Sequence, residues 1–173
     1  MRTRAIAALG AALLVPSALF AADAAAPMHV MNASDIKWGD APPTIPKGAK
    51  VAVLSGDPGK PAPFTMRLQM PANYKIPAHW HSTDENVTVI SGAMYFGEGD
   101  KIDMKGAHEI KAGGFHSITA KTHHYAFSKS PTIVQVNAVG PFDINYIDPN
   151  DDPSKAAPAA PAKDAAKKDG AKK

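Results

Sequence analysis

His79-Trp80-His81 and Glu85 stand close together in PAHWHSTDENVTVISG, residues 77 to 92. In an extended strand, residues i and i+2 point to the same side, so His79 and His81 present two imidazoles to one point while Trp80 turns away. After the short turn Ser82-Thr83-Asp84, Glu85 opens ENVTVIS (85 to 91). Glu85, Val87 and Val89 then share one face of that strand and Asn86 and Thr88 the other. A carboxylate is thereby aimed into an apolar interior. Burying it alone costs roughly several kcal/mol, and the usual remedies are a partner cation, a raised pKa or a metal ion. With two imidazoles beside it and no arginine in the stretch, the metal is the favoured remedy.

A third imidazole would complete a coordination set, and GGFHSITAKTHHYAF (113 to 127) offers His116, His123 and His124. His124 shares its parity with Ala126 and Ser128, His123 with Tyr125 and Phe127. Periodicity alone does not choose between them.

The elements that must position these side chains read as short strands broken by turns. VAVLSG (51 to 56), FTMRLQM (64 to 70), ENVTVIS (85 to 91), AMYFGEG (93 to 99), GGFHSIT (113 to 119), HYAF (124 to 127), TIVQVNAV (132 to 139) and FDINYI (142 to 147) are rich in β-branched and aromatic residues. Turn residues separate them at roughly 8 to 12 residue spacing, which predicts a sandwich or barrel. No sustained 3.6-residue apolar stripe with caps occurs between 27 and 153, so helices are expected to be few and short.

The chain has 173 residues and no cysteine, which excludes disulfides, a cysteine nucleophile and a zinc-thiolate site. Residues 1 to 26 read as a secretory signal: Arg2 and Arg4 precede the apolar run Ala5 to Phe20, and Ala22-Asp23-Ala24 supplies a small-x-small cleavage pattern. That run is short for a membrane span, which needs about 20 residues, so no span is expected and the mature protein is expected to be periplasmic or secreted. Residues 27 to 48, with Pro27, Pro42, Pro43 and Pro46, read as an N-terminal arm, 49 to 150 as the barrel, and 151 to 173 as a disordered Ala/Pro/Lys-rich tail. The net charge of +3 is misleading: residues 27 to 153 hold 11 basic and 13 acidic side chains, net −2, so no basic face is expected to track nucleic acid.

His79, His81, Glu85 and Gly92 fit His-x-His, three or four residues, Glu, six residues, Gly, and so the chain resembles the cupin superfamily, whose first motif this is. The second family motif is met only in part. Gly113 fits its first glycine and His124 its histidine, whereas Thr119 and Lys121 occupy the Pro-x-Gly positions and Ser128 stands where Asn is usual. The resemblance covers roughly residues 50 to 147 and implies an all-β jelly-roll barrel. It also implies that His79, His81, Glu85 and His124 hold a divalent transition metal. Three imidazoles and one carboxylate suit Mn, Fe, Co, Ni, Cu or Zn without choosing among them. On a six-coordinate ion the set leaves two positions open to a small-molecule ligand, whereas a tetrahedral zinc would be closed and structural.

Three functional classes remain. One, implied by that likeness, is a metal-dependent enzyme of dioxygenase, decarboxylase or isomerase type acting on a small oxygen-containing molecule. The second is a non-enzymatic metal- or small-ligand-binding barrel, and the third a structural protein whose basic tail makes the envelope contact. For an acid or base the sequence offers Tyr125 or His123, with His116 another candidate. Met94, Phe96, Tyr125 and Phe127 fit either a pocket mouth or ordinary core, and Gln135 and Asn137 read as a solvent-facing pair. Dimers are common in the superfamily, so a homodimer through an edge strand is an expectation. No G-x-S-x-G elbow, H-E-x-x-H helix or glycine-rich phosphate loop supports a hydrolase, zincin or nucleotide-binding reading.

Overall fold

Alternation is most regular in Thr132–Val139, where Thr132, Val134, Val136 and Ala138 are buried while Ile133, Gln135 and Asn137 are half-buried on the opposite face. Period-2 burial of this kind is what a strand packed on one side requires. The computed structural model describes residues 28–155. The expected signal sequence, residues 1–26, lies outside the described residues, as does the expected tail beyond Lys155. The chain divides into Met1–Met31 and Asn32–Lys173; of the first unit, residues 28–31 are described and are exposed without regular structure.

The second unit holds eleven strands: β1 Gly39–Asp40, β2 Lys50–Ser55, β3 Pro63–Met70, β4 Lys75–Trp80, β5 Glu85–Ser91, β6 Ala93–Glu98, β7 His108–Lys111, β8 Phe115–Ile118, β9 His124–Phe127, β10 Thr132–Val139 and β11 Asn145–Tyr146. One sheet runs β1-β2-β3-β10-β5-β8 and the other β11-β4-β9-β6-β7, with antiparallel pairing throughout. From β3 onward the chain passes repeatedly from one sheet to the other, the winding of a jelly roll. The only helical elements among the described residues are three-residue 3-10 turns, as the sequence predicts, and no helix there is long and apolar enough to cross a membrane.

Between the sheets lies a core that includes Leu68, Met70, Ile76, Val87, Val89, Met94, Phe96, Val134 and Val136. Each large apolar side chain removed from water there contributes about 1.5–3 kcal/mol. A second, smaller cluster of Ala78, Tyr125 and Phe127 packs with Tyr95, Ile102, Ala107 and Ile147. Tyr125 and Phe127 therefore belong to the opposite side of β9 from Ala126, which joins the main core. Every residue of β9 is buried as a result, so its two faces carry no polar-apolar contrast. The Tyr95 and Phe127 rings stack at 4.9 Å, and a Cβ on Gly97 would collide with the Tyr125 ring.

Two turns set the chain's entry to and exit from the site-bearing strands. Gly92, between β5 and β6, has φ +76°, and a Cβ there would lie 2.5 Å from the Pro131 carbonyl oxygen and 2.7 Å from Thr132 Oγ1. Only glycine satisfies both demands. The turn before β9, where the family residues Pro and Gly are missing, keeps its shape differently: Lys121 itself adopts φ +66°, and its N–H donates to the His81 carbonyl at 2.8 Å.

Candidate metal centre

The first requirement is that His79 face the interior, and strict alternation from Ile76 would turn it outward. The β4–β9 ladder prevents this. Ile76 pairs with Ala126 and His79 with His124, with a register shift between them. The extra residue, in a stretch containing Pro77, restores the inward direction. Trp80 then faces away and His81 faces in again, as the spacing predicts. Glu85 arrives from the opposite sheet as the first residue of β5, on the same face as Val87 and Val89. His79, His81, Glu85 and His124 are all buried, at 4%, 5%, 9% and 2% exposure.

The four side chains meet. The imidazoles of His79, His81 and His124 offer ring nitrogens that lie within 4.8 Å of one another, and their ring centroids are 4.2–5.2 Å apart. Glu85 Oε2 is 3.4 Å from His81 Nε2 and 3.8 Å from His124 Nε2. On its other nitrogen each ring is held by a backbone carbonyl: His79 Nδ1 by Pro77 at 2.6 Å, His81 Nδ1 by Asp143 at 2.5 Å and His124 Nδ1 by Thr122 at 2.9 Å. A carbonyl only accepts, so each Nδ1 carries the proton and a neutral ring keeps its lone pair on Nε2. Carbonyls that fix the tautomer in this way are the usual outer support of metal-binding imidazoles.

His81 is held most firmly. The Phe142 ring stacks on it at 4.5 Å and 19°, and the Asp143 carboxylate ties the supporting loop down by accepting from Ser82 N–H at 2.7 Å, Ser82 Oγ at 2.6 Å and Asn145 Nδ2 at 2.7 Å. Even so, His81 Nε2 is buried with no hydrogen-bond partner. The Glu85 carboxylate is near enough to favour a proton there but is not aligned to accept it. An orphaned buried nitrogen facing two lone pairs and a carboxylate is costly in an empty protein interior and natural in a metal site. The residues present fit a divalent ion.

Protonation of the cluster points the same way for two rings. Burial, then the facing His124 and His81, holds the His79 imidazole well below its ordinary value. His124 is lowered too, by burial first, against the Thr122 carbonyl and Glu85. For His81 burial also favours the neutral ring, but Glu85 and Asp143 outweigh it and leave the pKa raised. A cation seated at Nε2 would take the place of that proton.

Other residues singled out from the sequence fall elsewhere. His123 is on the outer side, bonded through Nδ1 to Asp100 at 2.6 Å, and the Tyr125 hydroxyl donates to the Asp103 carbonyl at 2.9 Å. Ser128 is fully buried and donates to the Pro71 carbonyl at 3.0 Å, closing the end of β9 rather than approaching the cluster. Gln135 and Asn137 stand on the outer face of β10, where Gln135 accepts from Arg67 and Asn137 donates to Thr65. Met94 and Phe96 do line the small cavity of about 40 Å³ beside His79, Glu85 and His124. Phe142 and Asp143 were missed by sequence reasoning, because nothing local marks a segment some 60 residues downstream as the support of His81.

The two facing antiparallel sheets wind as a cupin-type jelly roll, and solved structures share that fold. The polyketide cyclase RemF from Streptomyces resistomycificus is 19% identical with a TM-score of 0.61, over 74% of this chain and 91% of its own. An acetylacetone dioxygenase-like protein from Methylibium petroleiphilum PM1 is 16% identical with a TM-score of 0.57, over 73% and 85%. An RmlC-like cupin from Ralstonia eutropha JMP134 is 21% identical with a TM-score of 0.51, over 66% and 69%. No curated protein matches the chain. The chain belongs to the family described as domain of unknown function DUF4437, whose model matches residues 21–145.

Proposed function

We propose that this protein is an exported cupin in which His79, His81, Glu85 and His124 hold a divalent transition metal and act with it on a small oxygen-containing molecule. One observation carries the reading: three buried imidazoles, each locked at Nδ1 by a backbone carbonyl, aim their remaining nitrogens at one point beside a carboxylate. A metal bound there would polarise an oxygen of the ligand it receives. The chain's own residues hold the three imidazoles oriented, keep His79 and His124 neutral, and exclude bulk water with Leu68, Met94, Phe96 and Val134. The fold hosts enzymes such as the cyclase above, which supports an enzymatic role without supplying a substrate.

The non-enzymatic reading has its own support in the size of the inner cavity, about 40 Å³, which suits an ion and a water rather than a substrate. Export rests on the leader, Arg2 and Arg4 ahead of Ala5 to Phe20. The deciding experiment is elemental analysis of the mature chain purified without chelators or a histidine tag, with N-terminal sequencing and His81→Ala beside it. About one equivalent of a redox metal, lost in the variant, supports the enzyme and leads to oxygen-uptake assays. Zinc in that place favours a closed structural site, and no metal in either protein removes the metal reading.

A further inference from the structure

The mouth of the barrel has a second polar zone, one that the metal cluster does not use. On β8, His116 pairs with Val87, so it faces inward, and its ring lies 4.9 Å from that of Phe96. On the other sheet Phe96 stands opposite His108, and Glu98 stands directly opposite His124. At the barrel mouth Glu98 and His108, both exposed, and the half-buried His116 gather with Phe96 around a cavity of about 460 Å³ that Asp103 and Tyr125 also line. Phe96 is a wall of both this cavity and the small one at His79, Glu85 and His124. The larger volume lies in the range of small-molecule sites.

The lining has a definite chemical bias. Two carboxylates and two imidazoles face the space, and no lysine or arginine lines it. Burial, the leading influence, keeps His116 on the neutral side of its ordinary behaviour, although Glu85 and Glu98 pull the other way. A neutral imidazole and a carboxylate accept hydrogen bonds from hydroxyl groups, the Phe96 ring offers an apolar face, and an anion would sit unpaired beside two carboxylates.

We propose that this mouth cavity binds a neutral, hydroxyl-bearing ring compound, one face on Phe96 and its hydroxyls shared among Glu98, His108 and His116, and that it rejects the corresponding carboxylate. As a substrate assignment this rests on the metal-site reading above, but binding in the mouth itself needs no metal. Of the groups the sequence suggested, Tyr125 also lines this cavity but gives its hydroxyl to the Asp103 carbonyl, His123 does not line it, and His116 takes the ligand-contacting place.

Titration calorimetry with 3-hydroxybenzyl alcohol and 3-hydroxybenzoate, which differ only in the neutral or anionic group, tests this on chelator-treated and metal-loaded protein. In the metal-free protein the alcohol is expected to bind at least about tenfold more tightly than the acid. Glu98→Gln, at an exposed position, should narrow that gap at least about threefold, and His116→Ala should weaken the alcohol at least about fivefold with metal content unchanged. Equal binding of the two probes, binding of neither at millimolar concentration, or a gap unmoved by Glu98→Gln would overturn the proposal. Retained selectivity in a protein that takes up no metal would uphold this subsite while removing the metal reading, so the two fail separately.

Discussion

The two stretches that deliver the histidines are built in opposite ways. His79 and His81 come from a stretch in which local sequence and geometry agree: alternation, a short turn, a carboxylate and a glycine held at φ +76°. His124 comes from a turn whose expected Pro and Gly are absent, yet Lys121 takes φ +66° and donates to the His81 carbonyl, so the imidazole reaches the same point. What a ligand position requires is a backbone path, and residue types are one means among several of securing it. The cost is local: a lysine in the left-handed region gives up about 1 kcal/mol relative to glycine.

Substitutions put this contrast to the test. The largest effect is expected at the ligands, where the two stretches should behave alike: Glu85→Ala, His81→Ala and His124→Ala should each lower metal affinity by at least about 100-fold. The barrel should remain folded, because Val87, Val89 and Val134 stay in place. Competition against a chromophoric chelator, with circular dichroism alongside, reads both; stoichiometric metal in Glu85→Ala would remove that residue from the set.

Gly92→Ala comes next, since it meets both a positive φ and a contact of 2.5 Å. A loss of about 2–4 kcal/mol in urea unfolding is expected, and an unchanged midpoint would contradict the strain described. Asp143→Ala keeps the carbonyl that holds His81 but frees its loop from Ser82 and Asn145, so metal affinity should fall about tenfold with little change in unfolding. The smallest effect belongs to the weaker turn: Lys121→Gly should relieve the left-handed strain, offset partly by chain entropy, and raise stability by about 0.5 kcal/mol. A clear loss of stability there would mean that the lysine side chain, and not the backbone path, maintains the turn.

How much could be read from the sequence follows from where alternation survives. Strands β5, β9 and β10 end where their apolar patterns end. The core strand β4 is broken by Pro77 and a register shift, and β7, His108–Lys111, is a mostly exposed edge, so neither reads plainly as a strand. The meeting of His79, His81, Glu85 and His124 was legible because the first three are local and the family pattern supplies the fourth. Which of Tyr125, His123 and His116 faces the interior was not legible. β9 is buried on both sides, and parity carries no signal where both faces are apolar. The support of His81 by Phe142 and Asp143 is a contact between distant parts of the chain, which no local pattern announces.

That support has a consequence for the order of events in the protein's life. The ring of His81 is stacked by Phe142 and held by a carbonyl 62 positions further along, next to the last strand of the fold. A nascent chain that has produced His79, His81 and Glu85 still lacks both His124 and this brace. An ion held at this point would have to wait until almost the whole barrel had been made and closed, and would then be drawn from whichever compartment witnesses that final step.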